Sequence, residues 1–163
     1  VILLPAPFLQ APAPAPPARP LRAQYAWGYV GADGEGKGTL NLLLDEGTGE
    51  VVLELQGIGE RLMLLQGDGR TGYRLQIPRR QVDTTAASLG ELPLPFLPQL
   101  GGPAALWALV AQGRGPGVKV TKRDGAGPLK LKYQGKDDQG KDVHVWLERK
   151  IWQPSPPGAA GAR

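Results

Sequence analysis

Between Thr39 and Ile77 apolar and polar positions alternate with a period of two. Leu40, Leu42 and Leu44 form one set, Val51, Leu53 and Leu55 the next, and Tyr73, Leu75 and Ile77 the last. Leu62 to Leu65 lies between them and is apolar in both phases, so its buried pair is either Leu62 with Leu64 or Met63 with Leu65. Asn41, Glu54, Arg74 and Gln76 interleave as polar positions, the pattern of strands with one wet face. Glu46-Gly47-Thr48-Gly49, Gly57-Ile58-Gly59 and the run from Gly67 to Gly72 supply glycine where tight hairpins need it. The pattern predicts a curved antiparallel meander.

The same period continues on both sides. Tyr25, Trp27 and Tyr29 share one side of a first strand, with Ala26 and Gly28 opposite, and three large rings so spaced build half a core face. Gly31 to Gly38 is expected to be a polar turn into the meander; its spacing does not match a phosphate-binding loop. Pro78 and Arg79-Arg80 end the meander, and Gln81 to Leu89 forms a bridge in which Thr84, Thr85 and Ser88 can start a short helix. Pro93, Pro95 and Pro98, set among Leu92, Leu94, Phe96, Leu97 and Leu100, predict a partly buried turn.

From Gly102 a helix is expected, with Pro103 in its first turn, Leu106 and Val110 on one row, Trp107 and Ala111 on the next, and Gly113 as its stop. Strands return with Val118 and Val120, then Leu129, Leu131 and Tyr133, then Val143, Val145 and Leu147. Turns at Asp124 to Gly127 and Gln134 to Lys141 separate them. A one-sided helix and a one-sided sheet each need covering. The expected fold is therefore mainly β: seven to nine antiparallel strands in one strongly bent sheet or unclosed β-barrel, with a short helical cover.

Composition adds boundaries. Seven of the seventeen prolines fall within the first twenty residues, which marks 1–20 as a Pro/Ala-rich extended arm. Residues 154–163 form a Pro/Gly/Ala-rich tail, leaving 21–153 as a single β-rich domain. The apolar start Val1 to Leu4 is too short before Pro5 to be a complete signal peptide or a membrane span. Charge is uneven: residues 21–60 carry two Arg/Lys against seven Asp/Glu, and residues 114–150 carry ten against five. The two halves either neutralise each other across the sheet or leave a basic patch that suits an anionic membrane surface or an acidic envelope protein.

Candidate chemistry is sparse. Without cysteine there are no disulfides, thiolate metal sites or cysteine nucleophiles. His144, the only histidine, falls on the face opposite Val143, Val145 and Leu147, beside Trp146, and a zinc site there needs carboxylates alone. Asp137, Asp138 and Asp142 lack the order of a calcium loop. Ser88 stands in no nucleophile elbow, and Glu54, Glu60 and Glu91 lack the aromatic cleft that glycosidase chemistry uses. The aromatic cluster at 25–29 is separated in sequence from the basic residues after 114, without the interleaving of a single-strand binder. The expectation is a protein that is not an enzyme and has no cofactor, no metal and no nucleic-acid partner. A concave wall of Leu, Val, Ile and aromatic rings suits lipid, since each buried methylene contributes about 0.8 kcal/mol.

The order of these pieces resembles the periplasmic lipoprotein carrier and receptor superfamily of the bacterial Lol system, nearer the outer-membrane receptor branch, over Tyr25 to Trp152. Tyr25 to Tyr29 looks like its early aromatic strand, and Leu62 to Leu65 before Gly67-Asp68-Gly69 like its strand and turn. Leu92-Pro93-Leu94-Pro95, Leu100-Gly101-Gly102 and the Trp107 helix follow in the family's order, and Trp146 to Trp152 close the sheet. The resemblance implies an eleven-stranded unclosed barrel with a helical lid, binding lipid or a lipoprotein acyl chain without enzymatic activity. It implies that Trp27, Leu42, Leu53, Leu64, Leu75, Leu106 and Trp107 line or cover the cavity. It also implies a periplasmic location, anchored at the outer membrane through a lipidated cysteine upstream. Gly57-Ile58-Gly59 is a poor counterpart of the protruding apolar loop that the receptor uses for membrane delivery. The alternative is a structural or assembly module of an envelope complex.

Overall fold

The computed structural model describes residues 20–32, 34–93, 103–136 and 139–154. Nine strands form one antiparallel sheet: β1 (Leu21–Gly31), β2 (Gly34–Asp45), β3 (Glu50–Gln56), β4 (Arg61–Asp68), β5 (Gly72–Ile77), β6 (Val82–Ala86), β7 (Val118–Asp124), β8 (Gly127–Lys136) and β9 (Asp142–Pro154). Their spatial order is β6-β5-β4-β3-β2-β1-β9-β8-β7, so the last three strands join the sheet by pairing β9 with β1. The fold is mainly β, and the sheet does not close into a barrel. Nine strands among the described residues compare with the eleven that the resemblance implies.

Between β6 and β7 the chain must pass from one edge of the sheet to the other. The described parts of this connection bury Leu89, Leu92, Leu106, Leu109 and Val110 in the core on the inner face. The crossing carries helix α1 (Pro103–Trp107), which widens into a π-type turn over Ala108–Gln112. Gly113 stops it in the left-handed region at φ 70°, donating its N–H to Leu109 O at 3.0 Å. The expected stop is thus in place. Among the described residues, α1 rests on β2 and the π-type turn on β8.

Cross-strand register fixes which residues face inward. Leu21 opposes Leu44, Leu44 opposes Val51, Leu53 opposes Leu65, and Leu65 opposes Leu75, giving rows of almost fully buried side chains. Burying each such leucine contributes about 1.5–3 kcal/mol. Two features depart from the sequence reading. Gly34 to Gly38 is not a turn: β2 begins at Gly34, and β1 pairs with it as far as Gly31. Val82–Ala86, expected to start a helix, is edge strand β6, because the β-branched Val82, Thr84 and Thr85 pair with Ile77, Leu75 and Arg74. Residues 1–19, the Leu94 to Leu100 turn, the hairpin tip at Asp137-Asp138 and the tail from 155 lie outside the described residues.

At the covered end an arginine stands among the core residues. A β-bulge at Lys150 places Arg149 opposite Tyr25 and Trp152 opposite Ala23, so side chains three apart share the inner face. Arg149 is 8% exposed, donates to Pro128 O at 3.1 Å, pairs with Asp124 and lies 5.6 Å from the Trp152 ring centroid. The neighbouring Tyr25 hydroxyl has no hydrogen-bond partner among the described residues. Burial pushes that phenol well above the ordinary tyrosine range, while the Arg149 charge pulls it the other way.

The Arg149 guanidinium and the Ala126 N–H (2.9 Å) hold the Asp124 carboxyl below the usual aspartate range. A carboxylate with a lowered folded pKa stabilises above its ordinary value near 3.9, and that contribution fades as pH falls through the lowered one. Asp124→Asn is therefore expected to reduce Tm at pH 7, with the gap from wild type narrowing below about pH 4. Thermal melts across that range check it; a constant gap contradicts the pairing.

Candidate ligand-binding site

The end of the inner face away from α1 holds a recess among the described residues. Along β2 the inward positions are Leu44, Leu42 and Leu40, and then Gly38, Gly36 and Gly34; Gly36, which carries no side chain, borders the recess. Trp27 and Tyr29 on β1 face those glycines, since Trp27 opposes Gly38 and Tyr29 opposes Gly36. The Trp27 indole N–H donates to Gln56 O at 2.9 Å, tying the ring to the end of β3. Gly38 makes that close approach possible: a Cβ there falls 1.8 Å from Gln56 O. Glycine is required for room, not for backbone conformation.

A β-bulge completes the wall. Leu55 opposes Met63 but Gln56 opposes Arg61, which leaves Leu62 as the extra residue and turns it toward the recess. An inner part of about 270 Å³ is lined by Trp27, Leu40, Leu53, Leu55, Leu62 and Met63, with Ile77, Val145 and Leu147 across from them. Ile77 on β5 and Val145 on β9 are five strands apart, about 24 Å in a flat sheet. Both face one small recess, so the sheet bends strongly around it.

A wider outer part of about 590 Å³ shares Trp27, Tyr29, Leu62 and Arg79 and opens between Val30, Lys37, Ile58 and Trp146. Its lip is mixed. Arg79 pairs with Glu60, and Arg80, Lys37 and Glu35 add further charge. Ile58, at the tip of the β3–β4 turn, is 82% exposed. The turn read as a poor counterpart of a protruding apolar loop does present an apolar side chain to solvent.

Of the residues expected to line or cover a cavity, Trp27 and Leu53 border the recess. Leu42, Leu75 and Leu106 are packed into the core, outside the recess lining. Trp107 is half-buried against that core and also stands outside the lining. Leu64 requires correction: it opposes Glu54 and Gln76 and so lies on the outer face, whereas Met63 and Leu65 take the inner one. Pairing with Leu53 and Leu55 decides the phase that the four-residue apolar run left open. Tyr29, Leu40, Leu55, Ile77, Val145 and Leu147 are lining residues missed although their alternation had already assigned them to strand faces, and Leu62 and Met63 were missed with them.

The charge asymmetry resolves locally. Glu54 pairs with Arg61 and Glu60 with Arg79, while the late carboxylates Asp124, Asp142 and Glu148 pair with late cations. These pairs do not join the acidic early segment to the basic late one. No helix among the described residues is long and apolar enough to cross a membrane. The chain matches no protein-family model and no curated protein, so the family resemblance stands on its motifs alone.

Gly38→Ala is expected to destabilise the domain by about 1–3 kcal/mol through overpacking against a backbone oxygen that cannot swing away. It also breaks the Trp27–Gln56 bond. Urea unfolding followed by tryptophan fluorescence checks both; unchanged stability contradicts the close approach.

Proposed function

We propose that this domain binds lipid, or the acyl chain of a lipoprotein, in the recess at the end of its sheet away from α1, without catalysing a reaction. The observation that carries the reading is the glycine-floored recess walled by Trp27, Leu53, Leu55, Leu62 and Met63. It is apolar inside and charged at the lip, the distribution that suits an amphiphile. A pocket of about 270 Å³ is at the small end for ligand sites, so it takes one end of a chain, and the wider outer part takes the rest. Burial of eight methylenes supplies about 6 kcal/mol before ordering costs. The proposed place in the bacterial envelope, in the periplasm or at the outer membrane, rests on the motif resemblance.

A fluorescent fatty acid titrated into delipidated protein is expected to bind at micromolar concentration. Leu62→Glu, at a half-buried bulge position that the strands can tolerate, should weaken binding at least about tenfold by burying a charge against the chain. Trp107→Ala, outside the recess, should leave it unchanged. Absence of binding by folded wild-type protein, or full binding by Leu62→Glu, overturns the reading and leaves an assembly role as the better one.

A further inference from the structure

The outer face of the sheet carries a second arrangement, which the recess does not use. Register places Lys119 opposite Lys132, Lys132 opposite Trp146, Trp146 opposite Gly28, and Gly28 opposite Lys37. This single row crosses β7, β8, β9, β1 and β2, about 19 Å at ordinary strand spacing. Gly28 has a specific part in it. A Cβ at that position falls 1.9–2.2 Å from three atoms of the Trp146 indole, so the ring lies flat on the bare backbone. Trp146 stays 40% exposed there.

The adjacent row holds Lys122, Lys130 and Glu148, and Lys150 also reaches Glu148 at 2.9 Å. Three lysines thus share one carboxylate, whose pKa is held below the usual glutamate range by Lys150 first and then by Lys130 and Lys122. Lys37, Lys119 and Lys132 have no ion-pair partner among the described residues. Val30 and Ile151, 49% and 43% exposed, lie on the same face.

We infer that this outer face docks on the surface of an anionic lipid bilayer. Net positive charge supplies the complementarity, at about a fivefold gain in binding per lysine near an anionic surface. The single flat indole and the two exposed aliphatic side chains suit the headgroup boundary. A polyanionic strand fits less well, since it calls for successive stacking rings and the row contains one. Trp146 and Lys37 also border the wider recess, so the docked face adjoins the mouth. Docking itself requires no ligand in the recess.

The test is flotation of the full chain with vesicles of phosphatidylcholine alone and of phosphatidylcholine with phosphatidylglycerol. Binding should require the anionic lipid and fall with added salt. The double variant Lys119→Gln/Lys132→Gln should bind about 25-fold more weakly, and Arg114→Gln, in the loop after the helix, should bind as wild type. Neither lysine borders the recess, so the double variant should keep wild-type affinity for the fatty-acid probe; vesicle binding and probe binding therefore succeed or fail separately. Equal binding to both vesicle types, no binding to either, or an equal loss with Arg114→Gln overturns the inference. So does tighter binding of a single-stranded oligonucleotide that the double variant abolishes.

Discussion

An open sheet has one face that must be kept from water, and here the connection between its two edge strands takes part in covering it. The chain leaves the β6 edge and re-enters at the β7 edge, and the described residues of that crossing supply cover. Leu106, Leu109 and Val110 reach the end of the sheet where Leu21, Leu44 and Pro128 lie. At the opposite end β2 presents glycine at three successive inward positions, so no β2 side chain fills the space beside Gly36. The recess follows from this shortage of side chains. Strand bending brings β5 and β9 around it, and the Trp27–Gln56 bond holds its rim.

Much of this was legible in the sequence. Alternation at Leu40 to Leu44, Val51 to Leu55 and Tyr73 to Ile77 identified the strands and their faces, and Pro103 and Gly113 bounded the helix. What stayed hidden depended on tertiary partners. Leu62 to Leu65 is apolar in both phases, and only a bulge and the pairing with β3 send Met63 and Leu65 inward and Leu64 outward. Gly34 to Gly38 looks like a turn because glycine weakens strands; it extends because β1 supplies the hydrogen-bonding partner and two rings to cover it. Arg149 continues the inward phase of Val145 and Leu147, and the bulge at Lys150 then turns Trp152 inward and Ile151 outward.

The candidate site shows the same limit more sharply. Sequence periodicity tells inward from outward, but it does not tell the covered end of a sheet from the open one. Leu42 and Leu40 are equivalent in pattern, yet Leu42 is outside the recess lining and Leu40 borders it. The outer face adds the complementary lesson. Lys37, Lys119, Lys132 and Trp146 are spread over 110 positions, from 37 to 146, and only the return of β9 to β1 sets them in one row. Greasy inner wall and basic outer face are thus two sides of a single sheet, meeting where Trp146 and Lys37 edge the mouth.

The claim that the inner face is open at one end and closed at the other is tested most directly by methyl-resolved NMR with a spin-labelled fatty acid. The account predicts paramagnetic broadening at Leu55, Leu62, Met63, Ile77 and Val145, with Leu21, Leu89 and Leu106 spared. Broadening centred on Leu106 and Leu109, or none at saturating probe, would contradict it.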